Sequence, residues 1–180
     1  FWQVVGREAG LTRIVSHLRA PVLGPVHVAH HALLDLGRAD LQEALIRTLG
    51  SGVVRWLWAR PLAGIWRPAR GRPGGPDVLR TGAAPRGIPD LPASVAARVQ
   101  EGNVYVDVVL RGIRCLVEAN VEVDFGVERP DRSLAWEFPE MRELRKEEGV
   151  GEVVFDMCRL GAPFRKRVRV VTSSQNIVSL

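Results

Sequence analysis

Apolar residues along this chain switch repeatedly between alternation and helical spacing, and the switches mark out strands and helices in turn. Gln3-Val4-Val5 reads as the end of a first strand. The glycine-flanked run from Gly6 to Gly10 then opens a helical stretch through Arg19. Residues 22–28 read as a second strand, with Pro21 and Pro25 arguing for an edge or irregular position. An amphipathic helix over 41–49 closes at Gly50 and Gly52, with Asp35 or Asp40 ahead of it as a cap. Residues 53–59 form the third strand and the best core candidate. Residues 67–92, rich in Pro, Gly and Arg with little periodicity, read as a flexible basic loop. Helical spacing returns over 93–121 in Val95, Val99, Val106, Val109, Leu110, Ile113 and Leu116-Val117, with an interruption or kink expected at Gly102-Asn103. A fourth strand covers 121–127. An acidic helix over 138–148 turns Met141 and Leu144 inward and ends at Gly149. Residues 153–172 read as strand, tight loop, strand: a short apolar run, a break at Gly161-Ala162-Pro163, then β-branched alternation through Val168, Val170 and Val171. The succession argues for an α/β fold with a mostly parallel sheet ending in a C-terminal antiparallel hairpin, built as a single domain over 1–180.

Composition narrows the classes. No apolar run approaches the roughly 18 residues that cross a bilayer, and no basic-plus-apolar leader opens the chain. A start at Phe1 and a stop at Leu180 read as a fragment cut at both ends. Two cysteines, Cys115 and Cys158, make neither a disulfide framework nor a metal cluster, so an intracellular, reducing place is expected, with the nucleus open. His30-His31 has no carboxylate or Cys at ligand spacing and reads as a surface pair, so no metal is expected.

Net charge of +5 permits nucleic-acid binding. The bias to 23 Arg over 2 Lys fits either a GC-rich gene or a preference for bidentate phosphate contacts. Its distribution is more informative. Residues 55–90 carry seven Arg against Asp77 and Asp90, whereas 118–152 carry eleven acids against five bases. The loop of the last hairpin holds Arg159, Arg165, Lys166 and Arg167, with Arg169 just beyond. Cations pinned at a turn suit phosphate or carboxylate binding, and equally a solvated turn.

Three places, taken together, resemble the cytosine-C5 DNA methyltransferases in order and spacing. They are Arg60-Pro61-Leu62-Ala63-Gly64-Ile65-Trp66 after the third strand, Glu128-Arg129-Pro130 after the fourth, and the Arg-rich hairpin. That family has a Pro-Cys nucleophile loop, then Glu-Asn-Val or Glu-Asn-Pro, then Gly-x-Pro-Gln-x-Arg-x-Arg. A closer resemblance is to divergent methyltransferase-like frames of repeat-rich protist genomes, of mobile-element type. Ala69-Arg70, Ser133 and Trp136 keep pieces of their pattern. The resemblance spans most of 4–172 and implies a three-layer Rossmann-like fold that binds S-adenosylmethionine.

On that resemblance the cofactor would meet Gly6, Gly10 and Asp35. Gly10 stands at the last Gly of Phe-x-Gly-x-Gly, Val5 at its Phe and Arg7 at its middle Gly. The glycines also read as an ordinary strand–helix turn, and Asp35 as a cap. Glu128 would meet the N3 edge of cytosine, or be an exposed strand-end carboxylate paired with Arg129. Arg70, Arg165, Lys166, Arg167 and Arg169 would face DNA. Phe164 takes the family's Gln slot, Lys166 the first Arg slot and Val168 the second. Leu62 stands where the family has its Cys, and an aliphatic side chain has no electron pair with which to attack C6 of cytosine. The resemblance therefore implies an inactive relative. Two rivals remain: a nucleic-acid-binding module of a mobile-element-derived protein, and a decayed gene product without selected activity.

Overall fold

The computed structural model describes residues 1–4, 10–26, 35–60, 66, 77–118 and 123–179. Strands β1 (Trp2–Val4), β2 (Leu23–Val26), β3 (Trp56–Ala59), β4 (Asp124–Pro130), β5 (Gly151–Asp156) and β6 (Arg167–Thr172) form one mixed sheet in the order β2-β1-β3-β4-β6-β5. β1 pairs β2 and β3 in parallel, and β3 pairs β4 in parallel. β6 runs antiparallel to both β4 and β5, so β5 points the same way as β4. The α/β class, the largely parallel sheet and the closing antiparallel hairpin are as the alternation predicts. β1 is central and wholly buried, as a short apolar strand flanked on both sides should be. β2 is the sheet's edge among the described strands, the place expected of a strand that contains a proline.

Helices α1 (Gly10–His17), α2 (Ala39–Gly50), α3 (Ala93–Glu118), α4 (Pro139–Leu144) and α5 (Gln175–Val178) complete the described elements. α2 carries Asp40 in its first turn and Arg47 in its last, which suits the helix dipole, and turns Leu45 and Leu49 inward. Its cap position is Arg38, without a side-chain bond, so neither Asp35 nor Asp40 caps it. α2 and α3 pack closely because Gly112 has no side chain: a Cβ there would come within 2.8 Å of Leu49 Cδ1.

Successive residues of a strand point to opposite faces. Val4, Leu57, Ala59, Phe125, Val127 and Val171 share one buried core with Leu45 and Leu49 of α2, Val106, Ile113 and Leu116 of α3, and Met141 of α4. The opposite face carries Gln3, whose Oε1 accepts bonds from Thr12 N (3.0 Å) and Thr12 Oγ1 (2.8 Å), which docks α1. Trp58 lies on that face in register with Gln3 and Gly126, and its ring leaves room only for glycine, since a Cβ at 126 would sit 2.6 Å away.

Two elements differ from the sequence pattern. α3 runs unbroken through Gly102 and Asn103, both buried. An asparagine usually competes with helix backbone for hydrogen bonds, but this one is engaged elsewhere, as described below. The acidic helix is shorter than expected: α4 ends at Leu144, and turns carry the chain to Gly149 at φ +79°. A 3₁₀ turn over Leu134–Glu137 precedes it, with Ser133 Oγ accepting from Ala135 N.

Candidate functional site

Parallel β1, β3 and β4 end at one edge of the sheet. The antiparallel β6 begins there, so the β5–β6 turn belongs to the same edge, with Asp156 opposite Arg167 and Pro130 opposite Val168. The chain steps outward from β1 to β2 and then returns to β3 on the other side of β1, which makes the carboxyl ends of β1 and β3 the switch point of the topology. In open α/β sheets, ligands bind in the crevice outside such a point.

Arg60 leaves β3 at this edge, its N–H donating to Val4 O (3.2 Å). Its guanidinium lies 3.3 Å from Glu128 Oε1, and the Glu128 side chain is only 15% exposed. Glu128 therefore meets Arg60, while its neighbour Arg129 points to the other face. The expected Glu128–Arg129 pairing is replaced by this cross-strand pair for that reason.

The hairpin cations divide between carboxylates. Arg165 lies 3.2 Å from Asp156, and Arg167 lies 3.4 Å from Asp131. Arg169 donates to Asp131 (2.8 Å) and reaches Glu152 (3.3 Å), which Arg145 also meets (2.7 Å). The Arg169 guanidinium also sits 5.9 Å from the centre of the Trp136 ring. Lys166 is half-buried, and its carbonyl accepts the Met157 N–H (2.9 Å). Arg169 thus belongs to the sheet's own ion network, whereas Arg165 stays at the exposed rim. Phe164 is exposed, and Val168, at the second Arg slot, is buried.

Behind this edge lies a cluster that the sequence did not announce. Trp66 is buried, with Arg80 stacked on its ring at 3.7 Å, Arg129 at 5.0 Å and Phe138 tilted against it at 5.1 Å between centres. Arg80 donates to Asn103 Oδ1, Val99 O and Pro85 O, each at 2.7 Å. Asn103 Nδ2 donates in turn to Arg86 O (2.9 Å) and Gln100 Oε1 (3.2 Å). Arg129 donates to Ser133 Oγ (3.0 Å). Burial, and then the charge of Arg86, pushes Arg80 down to about 10; burial, and then the charge of Arg80, pushes Arg129 down to about 9. Residues 77–92 are consequently pinned to α3 by Arg80, not loose as the composition of 67–92 implied. The signal available was Leu79, Ile88 and Leu91, half-buried apolar residues in a stretch otherwise rich in turn formers.

Of the cofactor candidates, Gly10 is the first residue of α1. Asp35 Oδ1 accepts from Gly37 N (2.9 Å) and from the Tyr105 hydroxyl (3.3 Å). Gly6, Leu62 and Arg70 lie outside the described residues, as do His30 and His31. Among the described residues no group of His, Cys, Asp and Glu could hold a metal ion, and no helix is long and apolar enough to cross a membrane. Cys115 lies within α3, and Cys158 is exposed in the 3₁₀ turn after β5. Compared with family models, curated proteins and solved structures, the chain finds no match.

Proposed function

We propose that the chain is a degenerate cytosine-C5 DNA methyltransferase-like domain, of mobile-element type, that has kept a three-layer Rossmann-like S-adenosylmethionine scaffold and lost the reaction. The observation that carries this reading is the pair Arg60–Glu128, set at the carboxyl ends of adjacent parallel strands next to the switch point. The family's base-binding Glu and its nucleophile loop come from those two strand ends. The inserted antiparallel strand β6, ending the sheet with β5, agrees with the same scaffold.

S-adenosylmethionine supplies an electrophilic methyl group when bound. Gly6 and Gly10 would let the backbone approach it at the start of α1, where a helix N-terminus favours polar groups. Asp35 fits an amine-binding role: donors to its Oδ1 occupy one side of the carboxylate, and a carboxylate has further acceptor positions. Leu62 contributes no nucleophile, so the covalent step at C6 has no starting point. Glu128 would meet the cytosine edge once freed from Arg60, which now lies 3.3 Å from its carboxylate. Removing a nucleophile removes a step, and no positioning group compensates.

Two measurements test the reading. Calorimetric titration should give saturable heat with S-adenosylmethionine, and the parent chain should form no covalent adduct with 5-fluorocytosine DNA. A Leu62→Cys chain that also carries Arg60→Ala, which releases Glu128, should form that adduct. Absence of both heat and adduct would end the methyltransferase reading.

A further inference from the structure

We propose that the free edge of β5 is a self-association surface, to which β5 of a second copy of this chain adds as an antiparallel strand about a twofold axis at Val153. β5 is the last strand of the sheet, and among the described residues nothing pairs with its outer edge. The ladder shows which groups face out. The Met157 N–H donates to Lys166 O (2.9 Å), and the Asp131 N–H donates to Arg167 O (3.2 Å). Bonding sides alternate along an antiparallel strand, so Val168, Val170 and Thr172 of β6 face β5, while Arg167, Arg169 and Val171 face β4. Gly151, Val153 and Phe155 therefore bond to β6, and Glu152 and Val154 turn their backbone groups outward.

Free sheet edges are commonly blunted by proline, lysine or a bulge. β5 has none of these: it reads Gly-Glu-Val-Val-Phe-Asp, in unbroken register with β6. Val153, Val154 and Phe155 are all only half-buried. The other edge, β2, contains Pro25, which has no N–H to offer a neighbour.

The strand's own sequence selects a second copy as the occupant. A twofold pair centred on Val153 sets Glu152 opposite Val154, Gly151 opposite Phe155 and Val150 opposite Asp156. No like charges face each other, and each Phe155 ring lies across an edge glycine, a pairing that stabilises sheets. Val178 of α5 already stands over Gly151, where a Cβ would come within 2.6 Å of its Cγ2, so the incoming ring meets an apolar wall. Asp156 of the second copy arrives beside Val150 at a groove of about 700 Å³, where Arg142, Arg145 and Lys146 outnumber Glu143 and Glu152. The other twofold registers fail. Centring on Glu152 or Val154 sets acid against acid, and centring on Phe155 runs the ladder into the 3₁₀ turn Met157–Leu160.

This surface is independent of the cofactor, so its failure leaves the methyltransferase reading standing, and the reverse also holds. Sedimentation velocity from about 1 to 200 μM should show a monomer–dimer equilibrium with Kd on the order of 10 μM, as suits so short a seam. Val154→Pro removes only an outward N–H and should weaken the dimer more than tenfold. Val154→Glu sits beside Arg169 in the monomer but opposite Glu152 in the dimer, and should weaken it about tenfold. Circular dichroism shows whether each variant is folded, and Val154→Glu carries the test if Val154→Pro is not. In a chain with Cys115→Ser and Cys158→Ser, Val153→Cys should form a disulfide-linked dimer on mild oxidation, because residues on the axis lie within disulfide reach. Val154→Cys should not. The proposal is overturned by a chain that stays monomeric throughout, or by a dimer that Val154→Glu leaves intact. It is equally overturned by growth beyond the dimer, which marks an open β5-to-β2 contact, or by cross-linking at position 154 in place of 153.

Discussion

Helix α3 and the β5–β6 hairpin each organise arginines, and they stabilise them in opposite ways. Against α3, Arg80 is buried and bonded to neutral acceptors, the Asn103 amide and two carbonyls, with its flat side on Trp66. On the hairpin, Arg165 and Arg167 meet carboxylates from exposed places, while Arg169 sits half-buried between Asp131 and Glu152. A buried guanidinium needs fixed partners at hydrogen-bond distance, because nothing else replaces its lost hydration. An exposed one keeps water as an alternative and can exchange partners. The same residue type is therefore a structural fastener at one site and an available contact at the other.

The largest test of that contrast is Arg80→Ala. It strips the Asn103, Val99 and Pro85 acceptors of their donor and removes the cap on Trp66, and the expected loss is about 3 kcal/mol by urea unfolding. Arg80→Lys should recover little, because an ammonium cannot span three acceptors in one plane or stack on the ring. In a double-mutant cycle, Asn103→Ala and Arg80→Ala should show coupling of about 1 kcal/mol or more, since they share one network. Additive losses would mean that the two residues are not one fastener.

Arg169→Ala should follow at about 1 kcal/mol, as it is mostly buried and tied to Asp131 and Glu152. This loss should shrink in high salt, while that of Arg80→Ala should not. Tyr105 gives a third test from the α3 side. Burial, and then the Asp35 and Glu101 carboxylates, raise its hydroxyl above the ordinary tyrosine range. A raised folded-state value means that the protonated hydroxyl is favoured by folding. Its contribution is complete below the unfolded value of about 10 and is lost as pH rises from there toward the folded value. Wild type should thus exceed Tyr105→Phe by about 1 kcal/mol at pH 7, and the advantage should fall away above about pH 10. The smallest effect belongs to Arg165→Ala, expected within about 0.5 kcal/mol of wild type.

Much of the scaffold was legible in the chain. Alternating apolar runs placed every described strand to within a few residues, and the antiparallel hairpin followed from Gly161-Ala162-Pro163 between two β-branched runs. The two misreadings share a cause. Gly102-Asn103 reads as a break, and the described residues 77–92 as loose, only when local preference is considered alone. Arg80 joins them across 23 positions, and no local rule sees a bond of that reach. The edge site was half legible. Glu128 stands out in the chain, but Arg129 offers itself as an alternative partner, because adjacency in sequence hides the fact that strand neighbours face apart.

By itself, the sequence determined the class of fold, the direction of the last hairpin and the absence of a thiol at position 62, since these depend on residue type and periodicity. Tertiary structure decided which charges meet. It set Arg60 against Glu128, sent Arg129 and Arg80 inward to Trp66, and left Leu160 and Phe164 outside. The reason is physical: periodicity fixes the side of an element on which a residue sits, whereas a partner is chosen only when distant segments are packed together and each buried polar group must be satisfied.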